Sequence, residues 1–295
     1  DVTTQVPISL DVPHATYYVN DSGTVGDVYC TAPGNDANAG STPSTPKRTV
    51  QAVIDNYNLG AGDWVLVDTG QYNLAASITI TGDDSGEPGT PLEFVGPPAP
   101  ARAVITGTVD CFRLEGPHDV VIRQFDVTGD GGHGINITEG ERLTVSHNRI
   151  YGKAENGITV DAAGRDIGDV TIQSNVIFAN AKVGVYLHRY YAEFQNVHLT
   201  DNTLADNGDG ELWVSDVAGL GLRHNIFAAS GASSECIVRS GGELDSDHNG
   251  FYTTDGAVVG VSGDAFATLE EWAAGTSQDL NSVRLEPRFA DPDNP

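Results

Sequence analysis

The sequence predicts an all-β solenoid of short stacked coils, and three observations lead there. An asparagine-centred motif recurs at Asn148, Asn175, Asn202, Asn225 and Asn249, with spacings of 27, 27, 23 and 24 residues. A short alternating strand starts ten residues after most of these positions, so two features keep step along the chain. The 35 Gly and 14 Pro, among many Asn and Asp, are the composition of frequent turns with no low-complexity period.

The repeat is seen by aligning LTVSHNRIYG (143–152), VTIQSNVIFAN (170–180), VHLTDNTLADN (197–207), GLRHNIFAAS (221–230) and LDSDHNGFY (244–252). An earlier coil, VVIRQFDVTG (120–129), has Phe125 in the asparagine place. The second feature pairs Phe125 with Ile135, Asn148 with Ile158, Asn175 with Val185 and Asn202 with Leu212, opening GINIT, GITVD, GVYLH and ELWVS. Period-two alternation sends Ile135, Ile137, Ile158, Val160, Val185, Leu187, Leu212 and Val214 inward. One unit this small cannot bury its apolar face alone, so copies must stack at about 4.8 Å to share a core. An amide at one recurrent corner can bond the bend and its copy in the next coil, forming a ladder.

Composition narrows the function. A formal charge of −26 excludes a nucleic-acid partner, because phosphate backbones need a basic face. Only three of fifteen basic residues are Lys, a pattern expected of saline surroundings, with calcium binding by some of the Asp as the competing explanation. No run of 18 apolar residues exists, so membrane insertion is not expected. Cys30, Cys111 and Cys236 are too few for a disulfide framework; Cys111 and Cys236 read as buried thiols, while a bridge involving Cys30 stays open. The abrupt start at Asp1 and the closing DPDNP suggest a trimmed piece of a longer exported protein, secreted or on a cell surface.

The coils resemble the repeats of right-handed parallel β-helix proteins of the pectate-lyase-like superfamily, which includes polysaccharide lyases, alginate epimerases and bacterial surface proteins. The stretch from Tyr17 to Asn73 is similar to the usual entry to such helices, with a capping helix at about 50–58. Near the other end Thr268 and Glu271 form a capping box for a short helix. The resemblance implies a single-stranded β-helix divided into an extension (1–16), a cap and entry (17–62), coils (63–262) and a C-terminal cap (263–295). It also implies a polysaccharide partner, though this scaffold carries lyases, epimerases, hydrolases and adhesins alike.

Stacking places the outward residues Arg113, Asn136, Thr159, Tyr186 and Trp213 in one column, and Glu115, Thr138, Asp161, His188 and Ser215 in the next. Around them the turns carry Asp130, His133, Lys153, Glu155, Lys182, Arg189, Tyr190, Tyr191 and Asp209, with Glu211 opening the fifth strand. A basic pocket in so acidic a chain suggests capture of a uronate carboxylate or a sulfate. Elimination from a uronate needs a neutralised carboxylate, a base for the C5 proton and an acid for the leaving oxygen. Lys182 or Lys153 is the candidate base, Tyr186 or His188 the acid, and Arg189 or Asn136 the carboxylate holder. Trp213, Tyr190, Tyr191, Asn136, Glu211, His133 and Arg113 are the candidate substrate contacts. Plainer roles compete: Lys153 and Lys182 as solvated turn residues paired with local acids, His133 as a turn cap. The segment GPHD (116–119) resembles the Asp-Pro-His motif of alginate epimerases, with Gly116 in place of the leading Asp.

Three functions remain. The first is a lyase or epimerase acting on an acidic glycan. The second is a non-catalytic surface or adhesion module. The third is a glycoside hydrolase using two of Glu155, Asp161, Asp209 and Glu211. No cofactor is required, but Asp130, Asp206 and Asp209 in Gly-rich turns are candidate calcium ligands.

Overall fold

A computed structural model describes residues 14–162, 165–189 and 194–287. It is a parallel β-helix with three faces. The groove face runs from Ile78–Thr81 through Ile158–Ala162, Val185–Arg189, Leu212–Ser215 and Glu235–Ser240 to Val258–Ser262. The second face starts at Thr16–Val19, paired in parallel with Trp64–Val67, and ends at Leu244–Asp247. The third runs from Gly70–Leu74 to Val283–Arg284. Two long strands, Phe112–Arg123 and Ile135–Ser146, bend from the groove face into the second face without a break.

The alternation places its residues as the sequence predicts. Ile135, Ile137, Ile158, Val160, Val185, Leu187, Leu212 and Val214 are all buried in one continuous core. Each such side chain contributes about 1.5–3 kcal/mol relative to an exposed one. Helix Val50–Ile54, shorter than the sequence suggests, is capped by Thr49 and lays Val50 and Val53 on the first coil. Thr268 and Glu271 form the capping box of helix Leu269–Thr276. All three cysteines are free and buried, so the bridge left open for Cys30 does not form.

The corner between the second and third faces carries the ladder. The residue before each motif position, Gln124, His147, Ser174, Asp201, His224 and His248, has φ between 54° and 67°. His, Asp and Asn accept this left-handed region better than branched residues do, which accounts for the histidines. Asn175 donates its amide to Val145 O and to Asn202 Oδ1, and its own Oδ1 accepts from the Asn148 backbone and side chain. The pattern repeats to Asn249, whose amide reaches Asp279 Oδ1 at 2.9 Å. The buried Asp279 also accepts from Trp272 Nε1, Ser246 Oγ and Ser282 Oγ, tying the final helix to the ladder's end.

A second ladder lies at the next corner. Lys153 N donates to Asn180 Oδ1, Asn180 to Asn207 Oδ1, and Asn207 to both oxygens of Glu211, at 3.2 and 2.5 Å. Gly157 and Gly184 leave room for it: a Cβ at either would meet the Asn180 or Asn207 amide at 3.0 or 2.8 Å. Glu211 occupies the same slot one coil later and ends the row. Two site assignments are corrected by this arrangement. Glu211 is fully buried and so cannot touch a substrate. Lys153, 1% exposed, is neither a solvated turn residue nor a base on the groove face. Its ammonium reaches back across two coils to the carbonyls of Thr128, Gly107 and Val109 and lies 3.4 Å from Cys111 Sγ. Burial pushes the Cys111 thiol up, and the Lys153 charge opposes that.

Two predictions follow from the ladders. Asn175→Ala strands the buried Asn148 N–H, and each such loss costs about 1–3 kcal/mol, so urea unfolding is expected to show a loss of roughly 3 kcal/mol. Burial raises the Glu211 carboxyl well above the ordinary range, although the Asn207 donors pull the other way. A folded-state pKa raised in this way stabilises fully below the unfolded value of about 4.3 and loses that contribution as pH rises. Glu211→Gln stays neutral at every pH, so its melting temperature is expected to rise steadily relative to the parent's from about pH 4 to about pH 8. A difference that does not change with pH would contradict this.

Candidate functional site

The register assembles the first predicted column on the groove face and part of the second, since a shift after Leu114 sets Glu115 against Glu139 instead of Thr138. Arg113, Asn136, Thr159, Tyr186 and Trp213 are successive neighbours across five strands, and Asp161, His188 and Ser215 line up beside them. Trp213 is 44% exposed. Its ring lies 5.2 Å from that of Tyr186, and the Tyr186 and His188 rings are stacked at 5.6 Å. His188 Nδ1 is 3.3 Å from Asp161 Oδ1 in the preceding coil. Burial and the neighbouring Asp161 charge raise the Tyr186 hydroxyl, keeping it a neutral phenol. A solvent-facing aromatic shelf thus adjoins a histidine–carboxylate pair.

The remaining candidates divide. Asn136 donates to Asp110 Oδ2 at 2.8 Å, which leaves its carbonyl oxygen buried without a donor. His133 Nδ1 accepts from Asn156 N and lies 3.0 Å from Thr159 Oγ1. Burial lowers its pKa, as suits a neutral ring accepting a backbone N–H, so His133 braces the turn beneath the face. Arg113 is paired with Glu115 at 2.7 Å, and Lys182 lies 3.9 Å from Asp209. Arg165, which the sequence did not single out, is 2.6 Å from Glu139. The expected basic pocket is therefore a field of compensated charges. Arg189 ends its strand beside Ala162, in the coil that carries Asp161. Tyr190 and Tyr191 lie outside the described residues.

Asp130, Asp206 and Asp209 do not converge. Asp130 belongs to the turn three coils before that of Asp206 and Asp209, about 14 Å along the axis. Among the described residues no group of three or more His, Cys, Asp or Glu is arranged to hold a metal ion. These residues do not fit calcium.

GPHD occupies the bend between the groove face and the second face. Gly116 has φ 91°, a conformation that would strain an Asp, which accounts for the departure from the epimerase-like motif. His118 Nδ1 is 3.0 Å from Asp119 Oδ2, and Arg142 grips both oxygens of Asp119 at 2.9 Å. Burial raises the Asp119 carboxyl, but the Arg142 and His118 bonds outweigh it and hold it below the usual range. His118 lines a cleft of about 320 Å³ with Glu139, Glu141 and Asp166, beside one of about 330 Å³ bounded by Glu115, Thr138, Glu139 and Arg165. This second histidine–carboxylate pair was legible in GPHD, although its tie to Arg142, in the next coil, was not.

The bend also absorbs much of the variation in coil length. Eight residues separate Ile135 from Leu143, whereas twelve separate Ile158 from Val170 and Val185 from Val197. The interval from ladder asparagine to groove strand stays at ten in the coils of Asn148, Asn175 and Asn202.

The family model described as "Right handed beta helix region" matches residues 103–264. An alginate lyase from Paenibacillus sp. str. FPU-7 has a similar fold, at TM-score 0.57 and 15% identity over 68% of this chain and 72% of that one. Pectate lyase Pel9A is similar at TM-score 0.54 and 12% identity, over 84% and 79% of the two chains. At these identities the likeness is one of fold. No curated protein matches the sequence.

Proposed function

The chain belongs to the right-handed β-helix family, and from that scaffold we propose that it binds a polysaccharide across the groove face and processes a uronate-containing chain by proton transfer at C5. The observation that carries this reading is the conjunction of Trp213, Tyr186, His188 and Asp161 on one outward surface. Aromatic rings offer sugars an apolar face with a polar edge. Successive coils at about 4.8 Å give a shelf long enough for two or three sugar rings.

In this proposal Asp161 accepts the Nδ1 proton of His188, which leaves the Nε2 lone pair to take the C5 proton. Tyr186, kept neutral, donates to the leaving oxygen. Arg189 neutralises the uronate carboxylate and so acidifies the C5–H bond. Lys182, half exposed and near Asp209, is the weaker candidate for the base. The names of the two similar folds, an alginate lyase and a pectate lyase, are in keeping with this choice. The second reading is a non-catalytic glycan-binding module, favoured by the carboxylate partners of Arg113, Arg165 and Lys182. A hydrolase loses Glu211 as a candidate, and Asp161 is engaged with His188.

Incubation with alginate, pectate and glycosaminoglycans, followed by the ultraviolet absorbance of an unsaturated product and by C5 proton exchange in deuterated water, is expected to reveal turnover on one of them. His188→Ala and Tyr186→Phe are each expected to lower kcat by about 10²–10³-fold, the usual weight of one acid–base group, with an unchanged melting temperature. Turnover that persists in both variants would remove the site assignment. Binding abolished by Trp213→Ala, with no turnover on any glycan, would establish the non-catalytic reading.

A further inference from the structure

A cavity of about 570 Å³ lies at the N-terminal end of the solenoid, several coils from Tyr186 and Trp213. It is bounded by the entry loop at Asp21 and Ser22, the chain around Arg48, and residues 71–78, which include most of the edge strand of the third face. That volume falls within the range of about 300–1,000 Å³ typical of small-ligand sites.

Its electrostatics differ from those of the groove face and its bend. Arg102, Arg113, Arg123, Arg142, Arg149 and Arg165 each lie against a carboxylate. The exposed guanidinium of Arg48 makes no ion pair among the described residues. The lining holds a single carboxylate, Asp21, whose oxygens already accept from Gly23 N at 2.6 Å and Gln71 N at 3.2 Å. Gln71 and Asn73 alternate outward from the edge strand, both exposed, while Tyr72 between them is buried and donates its hydroxyl to Asp68 O. The wall is completed by Leu74, Ala75 and Ala76. Among the described residues the cavity thus presents a cation without an ion pair, the Gln71 and Asn73 amides and a small apolar surface, with no exposed ring to carry a long glycan.

We propose that this cavity is a binding site for a small carboxylate-bearing sugar, a uronic acid or its disaccharide. The Arg48 guanidinium pairs with the carboxylate, Gln71 and Asn73 bond the hydroxyls, and the alanines meet the C–H face. A forked guanidinium matches a carboxylate in two parallel bonds, which selects the acid over a neutral sugar of the same shape. This site is independent of the groove face and stands whether or not that face is catalytic.

Titration calorimetry with digalacturonate and galacturonate tests it, with glucose as the neutral control. Binding of at least one acid with a Kd of about 1 mM or tighter is expected, with no detectable heat from glucose. Arg48→Ala and the double variant Gln71→Ala/Asn73→Ala should each weaken it by about tenfold or more. Trp213→Ala and Tyr186→Ala should leave it unchanged. Absence of binding by both acids, or an affinity unaffected by Arg48→Ala, overturns the proposal. Loss of binding in Trp213→Ala would also overturn it, by moving the ligand to the groove face.

Discussion

An amide in a buried corner must find its copy one coil away, and that requirement governs the whole solenoid. A parallel strand can slide past its neighbour and still form backbone bonds, but a slip of one residue turns every side chain to the opposite face. Asn148, Asn175, Asn202, Asn225 and Asn249 forbid the slip, because each is bonded both to its counterpart and to a strand end. With the corner pinned, the strand ten residues later is pinned as well. Tyr186 then meets Trp213, and His188 meets Asp161, across 27 residues of sequence in each case.

The ladders also fix their own ends. In both rows each asparagine carbonyl accepts from the preceding coil, while the amide donates one N–H back to a strand carbonyl of that coil and the other to the next member of the row. A carboxyl group closes each N–H end, Asp279 in one row and Glu211 in the other. The backbone N–H of Lys153 closes the carbonyl end of the second row. Each row thus ends on a hydrogen-bond partner rather than on an unpaired buried amide.

Much of this was legible in the residues. The asparagine spacing, the inward aliphatic positions and the aromatic column all follow from period and stacking alone. The second ladder was equally present, in NRIYGK, NVIFAN and NTLADN, each with a polar residue five places after the first. It escaped because Lys153 breaks the identity of the row and because a glutamate before a strand suggests the surface. Glu211 standing in the place of Gly134, Gly157 and Gly184 was the available signal. Ion pairing was not legible: Arg165 with Glu139 and Arg142 with Asp119 join coils through side-chain reach that no spacing rule specifies. Convergence of the three Asp failed for a simpler reason, since residues alike in setting can still lie several coils apart along the axis.

Much of the surplus of the longer coils falls at the bend that borders the aromatic shelf. The count from ladder asparagine to groove strand varies less, ten residues in three coils and twelve from Asn225 to Ile237. That bend is thus the main outlet for variation in this chain, beside the surface where a sugar would rest. Selectivity can diverge there by insertion or deletion while the folded barrel of strands stays indifferent, which separates the evolution of what is recognised from the maintenance of what recognises it.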